Sequence, residues 1–330
     1  MRAGAQALTL LSSPLNVHVL TALAEEPRPL ADLRRAAGSP PQTTMRKYLR
    51  SLTEVGALQS NRESRFPGRV RYELTGAGSD LLDVAEALQA WLSVGPEGCS
   101  PMGSPGAKSA IKAFVDGWSS SVLRALAARP LTLTELNALI KSVNYPSLER
   151  RLAAMRFAGL VAHGSSGPKG TPYAITQWLR LGVAPLVLAA NWEARHLQSR
   201  AASLSTRDAE AIFLLSVPLM SLPGDLSGSF RFAMELRSDS DRRLAGVRGQ
   251  TSEGRVSALT SQLNGDAEAT AVGPPGAWLS ALCSGDAESL ELGGDRDSVR
   301  KLFASLRRGL FGQTDTHVLP ERALASVRPA

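Results

Sequence analysis

The apolar residues of the first 56 positions recur at the three- to four-residue period of amphipathic helices. Three helices are predicted, and the third lies in "SPPQTTMRKYLRSLTEVG", where Gly56 follows the last turn. The residues on the apolar faces of these helices are Val17, Leu20, Leu23, Ala24, Leu30, Leu33, Met45, Leu49 and Leu52.

The spacing changes after Gly56. "ALQSNRESRFPGRVRYELT" predicts two short strands joined by a basic loop with Pro67 and Gly68 at its tip. "GSDLLDVAEALQAWLSV" returns to helical spacing and predicts a longer helix that ends near Trp91. Three helices, a β-hairpin and a trailing helix are the elements of a winged helix-turn-helix domain.

This pattern is written twice. With an offset of 103 positions, residues 45–58 fall on 148–161, and each apolar residue of the third helix meets another apolar residue. After the hairpin loop the offset becomes 101, and Trp91 meets Trp192. Because the apolar residues are kept while the polar residues change, the repeat predicts two copies of one fold with different surfaces.

The last third of the chain has a different pattern. "TRDAEAIFLLSVPLM" predicts an apolar helix, and Phe230, Phe232 and Met234 alternate as in a half-buried strand. Further strands are predicted on both sides of a Glu253-Gly254 turn and in "AEATAVGP". The helix "PPGAWLSALCSGD", a short strand in "ESLELGGD" and a closing helix complete the order.

The positive charge of the chain is concentrated in its first two thirds. Residues 1–205 hold 23 Lys and Arg against 14 Asp and Glu, whereas residues 206–330 hold 14 against 16. Between residues 43 and 71, seven basic residues stand against two acidic ones. This distribution favours an anionic partner for that part, with nucleic acid first; a solvated basic surface without a partner is the alternative.

"WSSSVLRAL" at the first helix, "SLERRLAAMRFAGLV" at the third and "PYAIT" in the hairpin of the second copy resemble the HxlR family of bacterial winged-helix regulators. The resemblance covers residues 5–95 and 108–197. The first copy departs from the family pattern at Leu15 and Asn16, where a tryptophan is usual, and at Tyr48, where an arginine is expected. The resemblance implies a DNA-binding transcriptional regulator.

In a winged helix the third helix enters the major groove and the hairpin flanks it. Gln and Arg suit base edges, and Thr and Lys suit phosphate. The predicted DNA contacts of the first copy are Gln42, Thr43, Thr44, Arg46, Lys47, Arg50, Arg62, Arg65, Arg69 and Arg71. Those of the second copy are Asn144, Tyr145, Ser147, Arg150, Arg151 and Lys169. Glu149 would repel phosphate, and a degenerate second copy that serves only in dimerisation is the alternative.

Helix-turn-helix proteins commonly dimerise on two half-sites about 34–36 Å apart. A chain with two copies can read an imperfect inverted repeat as a monomeric pseudo-dimer, or it can form a homodimer. The trailing helices with Trp91 and Trp192 are the predicted seam between the copies. Alternatively, each tryptophan fills the core of its own domain.

The order of elements after residue 205, with "LELGGD" and the preceding Gly285-Asp286, resembles the sterol-carrier-protein-2-like domain over residues 206–312. The resemblance implies an apolar tunnel between a sheet and its helices, which would hold a hydrophobic small molecule. The residues expected to line it are Phe213, Met220, Phe230, Phe232, Met234, Trp278, Leu282, Leu302, Phe303 and Leu306. A solid core without a cavity is the alternative.

Catalytic signals are lacking. "HGSSGPKG" does not have the spacing of a phosphate-binding loop, and no nucleophile elbow, dinucleotide fingerprint or zinc motif is found. Two cysteines and four histidines form no metal-ligand spacing. We therefore expect no enzymatic activity, no cofactor and no metal. Without a long apolar run or an apolar signal core, we expect no membrane partner and a cytoplasmic location.

The sequence thus predicts a mainly α chain with an α+β part: two tandem winged helix-turn-helix domains followed by a sterol-carrier-like domain. The predicted boundaries are 1–95 and 108–204 for the winged helices, 96–107 for a linker, 205–312 for the ligand-binding domain and 313–330 for a tail. The predicted function is a ligand-responsive transcriptional regulator. The alternatives are a resistance protein that sequesters a hydrophobic compound, with the winged helices as scaffold, and a ligand-free architectural DNA binder.

Overall fold

The computed structural model describes residues 3–62, 70–96, 98, 100–117, 119–140, 143–164, 170–197, 202–238 and 241–312 of the chain. These residues divide into two compact units. The first unit holds the described residues of 1–112 and 188–202, and the second holds those of 113–187 and 203–312. Most of the predicted second copy therefore lies in one unit with the predicted C-terminal domain.

The first unit begins with helices that follow the predicted order. Its elements are α1 (Ala5–Leu11), α2 (Pro14–Glu25), β1 (Arg28–Pro29), α3 (Leu30–Ala36), α4 (Gln42–Glu54), β2 (Leu58–Arg62), β3 (Val70–Leu74), α5 (Gly76–Ser93) and α6 (Pro105–Gly117), whose last residues belong to the second unit. The three helices predicted from the apolar period are α2, α3 and α4. The predicted linker 96–107 includes the buried Met102 and the first turn of α6.

The core of this unit is formed by the predicted apolar stripes. Met45, Leu49 and Leu52 on α4 are at most 1% exposed, so the opposite face of α4 is left to solvent. The chain can turn between α3 and α4 because Gly38 takes a φ of 77°, which glycine adopts without a steric penalty. Leu30, expected in the core, is half-buried at the start of α3.

The strands of the first unit form a three-stranded sheet in the order β1-β3-β2. The hairpin pairs Leu58 with Leu74 and Arg62 with Val70. The predicted basic loop, including Arg65 and Arg69, lies outside the described residues.

The second unit starts with the same order of elements. They are α7 (Ser120–Ala128), β4 (Leu131–Thr132), α8 (Leu133–Leu139), α9 (Tyr145–Phe157), β5 (Val161–His163), β6 (Pro172–Ile175), α10 (Gln177–Leu181) and α11 (Val183–His196), whose second half belongs to the first unit. The sheet order β4-β6-β5 matches that of the first sheet. Val161 pairs with Ile175, and these residues are those that the sequence offsets align with Leu58 and Leu74.

A threonine joins the hairpin to the following helix in both segments. Thr75 caps α5 by accepting a hydrogen bond from the Gly78 amide at 3.1 Å, and its hydroxyl donates to the Gly56 carbonyl at 2.6 Å. Thr176 caps α10 in the same way, with 3.2 Å from the Leu179 amide and a 3.0 Å bond to the Gly159 carbonyl. The offset of 101 positions therefore aligns the two threonines that cap these helices.

These twin caps predict equal costs of substitution. Thr75→Ala and Thr176→Ala should each lower the free energy of unfolding by about 1 kcal/mol, because each leaves a helix amide without its acceptor. Serine in either position should restore most of the loss. Urea unfolding measures the effect, with the exposed Thr53→Ala on α4 as control. A loss at one threonine but not at the other would contradict the structural equivalence of the two segments.

The rest of the second unit contains a five-stranded mixed sheet in the order β11-β10-β7-β8-β9. Its elements are α12 (Thr206–Ser216) with a 3-10 turn at Val217–Leu219, β7 (Gly228–Ser238), β8 (Asp241–Ser252), β9 (Arg255–Thr260), β10 (Ala269–Gly273), α13 (Pro275–Ser284), β11 (Glu291–Gly294) and α14 (Arg296–Phe311). All four strand pairs are antiparallel except β7 with β10. The β8–β9 turn lies at the predicted residues, with Glu253 and Gly254 both at positive φ.

Among the described residues, no single helix combines the length and apolar content that a membrane span requires. Among the described helices, α1 and α2 have that length and apolar content only when they are taken together, and they are bent by 85° relative to each other.

Candidate nucleic-acid interface and ligand-binding regions

The exposed face of α4 carries most of the predicted DNA-contacting residues. Gln42, Thr43, Arg46, Lys47 and Arg50 are exposed, and Thr44 is half-buried. This exposure follows from the helical period, because the buried stripe of α4 fixes which positions point away from the core. Long cationic and amide side chains on one exposed helix face suit contact with phosphates and base edges.

The turn before α4 fixes where that helix begins. Arg34 on α3 donates its Nε–H to the Pro40 carbonyl at 2.9 Å, and the Met45 amide donates to the Pro41 carbonyl at 3.0 Å. The first turn of α4 is thereby tied to the end of α3. This pairing of α3 with α4 sets the direction in which the basic face points relative to its own domain.

The hairpin adds two described cations. Arg62 and Arg71 are exposed near the end of the β2–β3 pair at which Arg62 pairs with Val70. Arg71 also donates to the Pro27 carbonyl at 3.5 Å. Arg65 and Arg69 lie outside the described residues. At the other end of the pair, Gln59 donates to Glu73 at 2.6 Å. Over the described residues of 42–74, five Lys and Arg stand against two Glu, so the surface favours an anionic partner.

Residues 10–96 form an HxlR-like helix-turn-helix domain. The match to this family begins at the end of α1, includes α2 to α5 and the β2–β3 hairpin, and covers the part of the chain with the basic helix face. No curated protein matches the chain. The HxlR-like match indicates DNA binding and transcription regulation, as the resemblance of the first copy predicts.

The helix α9 corresponds to α4 of the HxlR-like domain through the sequence offset. Asn144, Tyr145 and Arg150 are exposed, whereas Ser147 and Arg151 are half-buried. The side-chain oxygen of Asn144 accepts from the Ser147 amide at 3.0 Å, so this residue caps α9, and its amide NH2 group can still donate to another partner. The remaining predicted contact, Lys169, lies outside the described residues.

An acidic residue distinguishes the first half of this helix from that of α4. Glu149 is exposed between Leu148 and Arg150, and its charge opposes that of Arg150. The first half of α9 is therefore less basic than that of α4, although Arg156 of α9 and Glu54 of α4 bring the two helices to the same net charge. A contact of α9 with DNA would depend on Arg150 and Arg151.

The predicted seam lies inside the first unit. Trp91 on α5 and Trp192 on α11 are 3% and 2% exposed. The indole N–H of Trp192 donates to the Ala77 carbonyl at the start of α5 at 2.7 Å. Next to it, Asp80 accepts from His196 at 2.7 Å and pairs with Arg195 at 3.0 Å. The end of α11 is thus bound directly to the trailing helix of the HxlR-like domain.

A buried carboxylate on α11 was missed by sequence reasoning. Glu193 is 2% exposed and accepts the backbone amides of Gly4 at 2.8 Å, Gln6 at 2.8 Å and Ala7 at 3.0 Å. Burial raises the pKa of Glu193, and the three amide hydrogen bonds oppose that rise. Its carboxylate thereby caps α1 from a distant helix. The available signal was a single acidic residue within the apolar run "LGVAPLVLAANWEA".

The residues predicted to bind a hydrophobic ligand form the interior of the five-stranded sheet and its helices. All ten are buried, and the rings of Phe213 and Trp278 are 4.9 Å apart in an edge-to-face arrangement. Phe232 lies 5.5 Å from Trp278, and the indole N–H of Trp278 donates to the Ala233 carbonyl at 2.8 Å. These residues are brought together as predicted, and their rings contact one another. A ligand among them would have to separate ring contacts.

Proposed function

We propose that the chain is a transcriptional regulator in which two winged helices read an imperfect inverted repeat and the C-terminal part binds a hydrophobic small molecule. The observation that carries the proposal is the exposed basic face of α4 within the HxlR-like domain. An exposed helix with Arg46, Lys47 and Arg50 has the shape for the major groove and the charge for its phosphates.

The second winged helix is supported by the repeated geometry. Residues 120–181 have the sheet order, strand register and threonine cap of the HxlR-like domain. Its recognition helix would be α9, with Arg150 toward the DNA. Two helices with different exposed residues would read two half-sites of different sequence.

The quaternary part of the proposal follows from the repeat. One chain supplies both winged helices as a pseudo-dimer, and a homodimer would place four of them on a longer site. Because a regulator must reach the DNA, the proposal includes a cytoplasmic location. It assigns binding rather than catalysis to the chain.

The ligand part of the proposal rests on the apolar interior of the last third. Such a ligand regulates only if it binds the DNA-bound and free states with different affinities, since a ligand that binds both equally shifts neither. The expected sign of regulation is therefore a change in DNA affinity on addition of the compound, with no change in DNA sequence preference.

Salt dependence of DNA binding tests the DNA part. We expect the full chain to bind the DNA upstream of its own gene and to lose affinity as salt rises from 50 to 200 mM. If the five described Lys and Arg of residues 42–74 each displace one counterion, the loss is about 500-fold. Fluorescence anisotropy with labelled DNA measures it, and a scrambled duplex of equal length is the control. Equal affinity for both duplexes at every salt concentration would contradict the proposal.

A further inference from the structure

A groove of about 1210 Å³ lies within the second unit. Its lining comes mainly from α7, from β9, from the end of α8 and from both ends of α12. Its volume exceeds that of typical small-molecule sites, which span about 300–1,000 Å³, so a ligand of that size would fill only part of it. This groove is separate from the aromatic interior, with Met220 the single residue shared with the predicted ligand set.

The groove is basic. Arg124, Arg129, Arg207 and Arg255 line it, and no Asp or Glu is found among the described residues that do so. Two carboxylates outside this lining pair with its arginines. Glu210 pairs with Arg124 at 3.0 Å and also attracts Arg207, and Glu135 pairs with Arg129 at 3.1 Å. Four cations against two carboxylates leave the groove with an excess of positive charge.

The same groove has an apolar lining. Leu131, Ile140, Leu214 and Met220 contribute to it, and Leu139 stands at the end of α8 with 62% of its surface exposed. An apolar group bound in the groove would cover it and remove that surface from water.

The strand β9 supplies directional groups along one side. It is last in the order of the described strands of its sheet, and Arg255 to Ser261 line the groove in sequence. The outer side of such a strand presents backbone N–H and C=O groups that a ligand can reach. Arg255 lies at the start of this strand and adds a guanidinium at one end.

We propose that this groove binds an amphipathic organic anion, with an apolar ring or chain and one carboxylate or sulfonate. The apolar body would lie against Leu139, Ile140 and Leu214, and the anionic group would lie between Arg207 and Arg255, which suit two-pronged contacts. The proposal goes beyond the proposed function, because the groove is a second ligand site apart from the apolar interior of the last third. It is independent of the DNA-binding part.

The test uses two matched fluorescent probes on the full chain without DNA. The probes are 8-anilinonaphthalene-1-sulfonate and N-phenyl-1-naphthylamine, which differ by the sulfonate. We expect the anionic probe to bind at least ten times more tightly than the neutral one. Replacing Arg207 and Arg255 together by alanine should weaken the anionic probe about ten- to a hundredfold and leave the neutral probe unchanged.

Two further variants keep the test decisive. Ala258→Trp fills the groove from an exposed position of β9 and should weaken both probes. Arg300→Ala with Arg308→Ala removes the same charge from exposed positions on α14 and should weaken neither. Thermal unfolding of each variant checks that the chain still folds.

Three results would overturn the proposal. They are equal binding of the two probes, binding unaffected by both groove variants, and retention of an acidic extended peptide instead of the anionic probe, which would make the groove a strand-addition site for a protein. Failure of the regulator itself is seen separately. If the wild-type chain shows no DNA preference while the probe results hold, the groove stands and the DNA-binding proposal falls.

Discussion

Replacing Arg46 and Arg50 together by alanine is expected to abolish specific binding to the DNA upstream of the chain's own gene. Both side chains are exposed on α4, within the HxlR-like domain, one helical turn apart. Each two-pronged contact with a base contributes about 1–3 kcal/mol of discrimination, so the pair should cost about 2–6 kcal/mol. Folding should be unaffected, because alanine is a strong helix former at exposed positions.

The control variants separate charge from geometry. Arg46→Lys with Arg50→Lys keeps the charge but removes the fork of donors, so it should bind DNA without preference for the specific sequence. Arg300→Ala with Arg308→Ala removes the same charge from α14 and should leave specific binding unchanged. Gel shifts with excess competitor DNA measure both. Specific binding by the double alanine variant would show that α4 is not the reading helix.

The helices of the HxlR-like domain and of residues 120–181 could be predicted because their cores follow a single local rule. Met45, Leu49 and Leu52 repeat at helical spacing, and burying them on one side needs no knowledge of the rest of the chain. The β8–β9 turn could also be predicted, because Glu253-Gly254 interrupts an alternating pattern at the point where positive φ is needed.

Elements defined by distant partners could not be predicted. The strands β1 and β4 are two residues long, so they have no period to detect, and they exist because β3 and β6 pair with them. A local contact can also be overlooked, as with Asn144, a predicted DNA contact whose side-chain oxygen caps α9. A cap and a DNA contact use the same residue types, and only the backbone geometry tells them apart.

The role of Glu193 shows the same limit most clearly. Its three donors lie 186–189 positions away in sequence. No local pattern connects an acidic residue on α11 with the first turn of α1. Contacts between residues far apart in sequence also define the two units, and they place the end of α11 in the first unit.

Glu193→Ala is expected to release α1 from the first unit. The substitution leaves three amides, those of Gly4, Gln6 and Ala7, without their acceptor. Removing one partner of a buried charged network costs about 3–5 kcal/mol. Hydrogen exchange at these amides gives the local effect, and urea unfolding gives the total. Glu193→Gln keeps the volume and one acceptor oxygen and should lose about half as much.

The pH dependence of stability shows which effect dominates at Glu193: burial of its carboxyl group, or the three amide hydrogen bonds that favour its ionised form. Because burial raises the pKa of Glu193 above its ordinary 4.5, the folded chain binds more protons than the unfolded chain between that value and the raised one. The contribution of Glu193 to stability is therefore fully present below the ordinary value and declines as pH rises through this window. The glutamine variant, which cannot titrate, should lack this decline. A constant difference between wild type and Glu193→Gln across the window would show that burial does not raise the pKa of Glu193. Equal exchange of the α1 amides in both variants would show that the carboxylate does not act as the cap of α1.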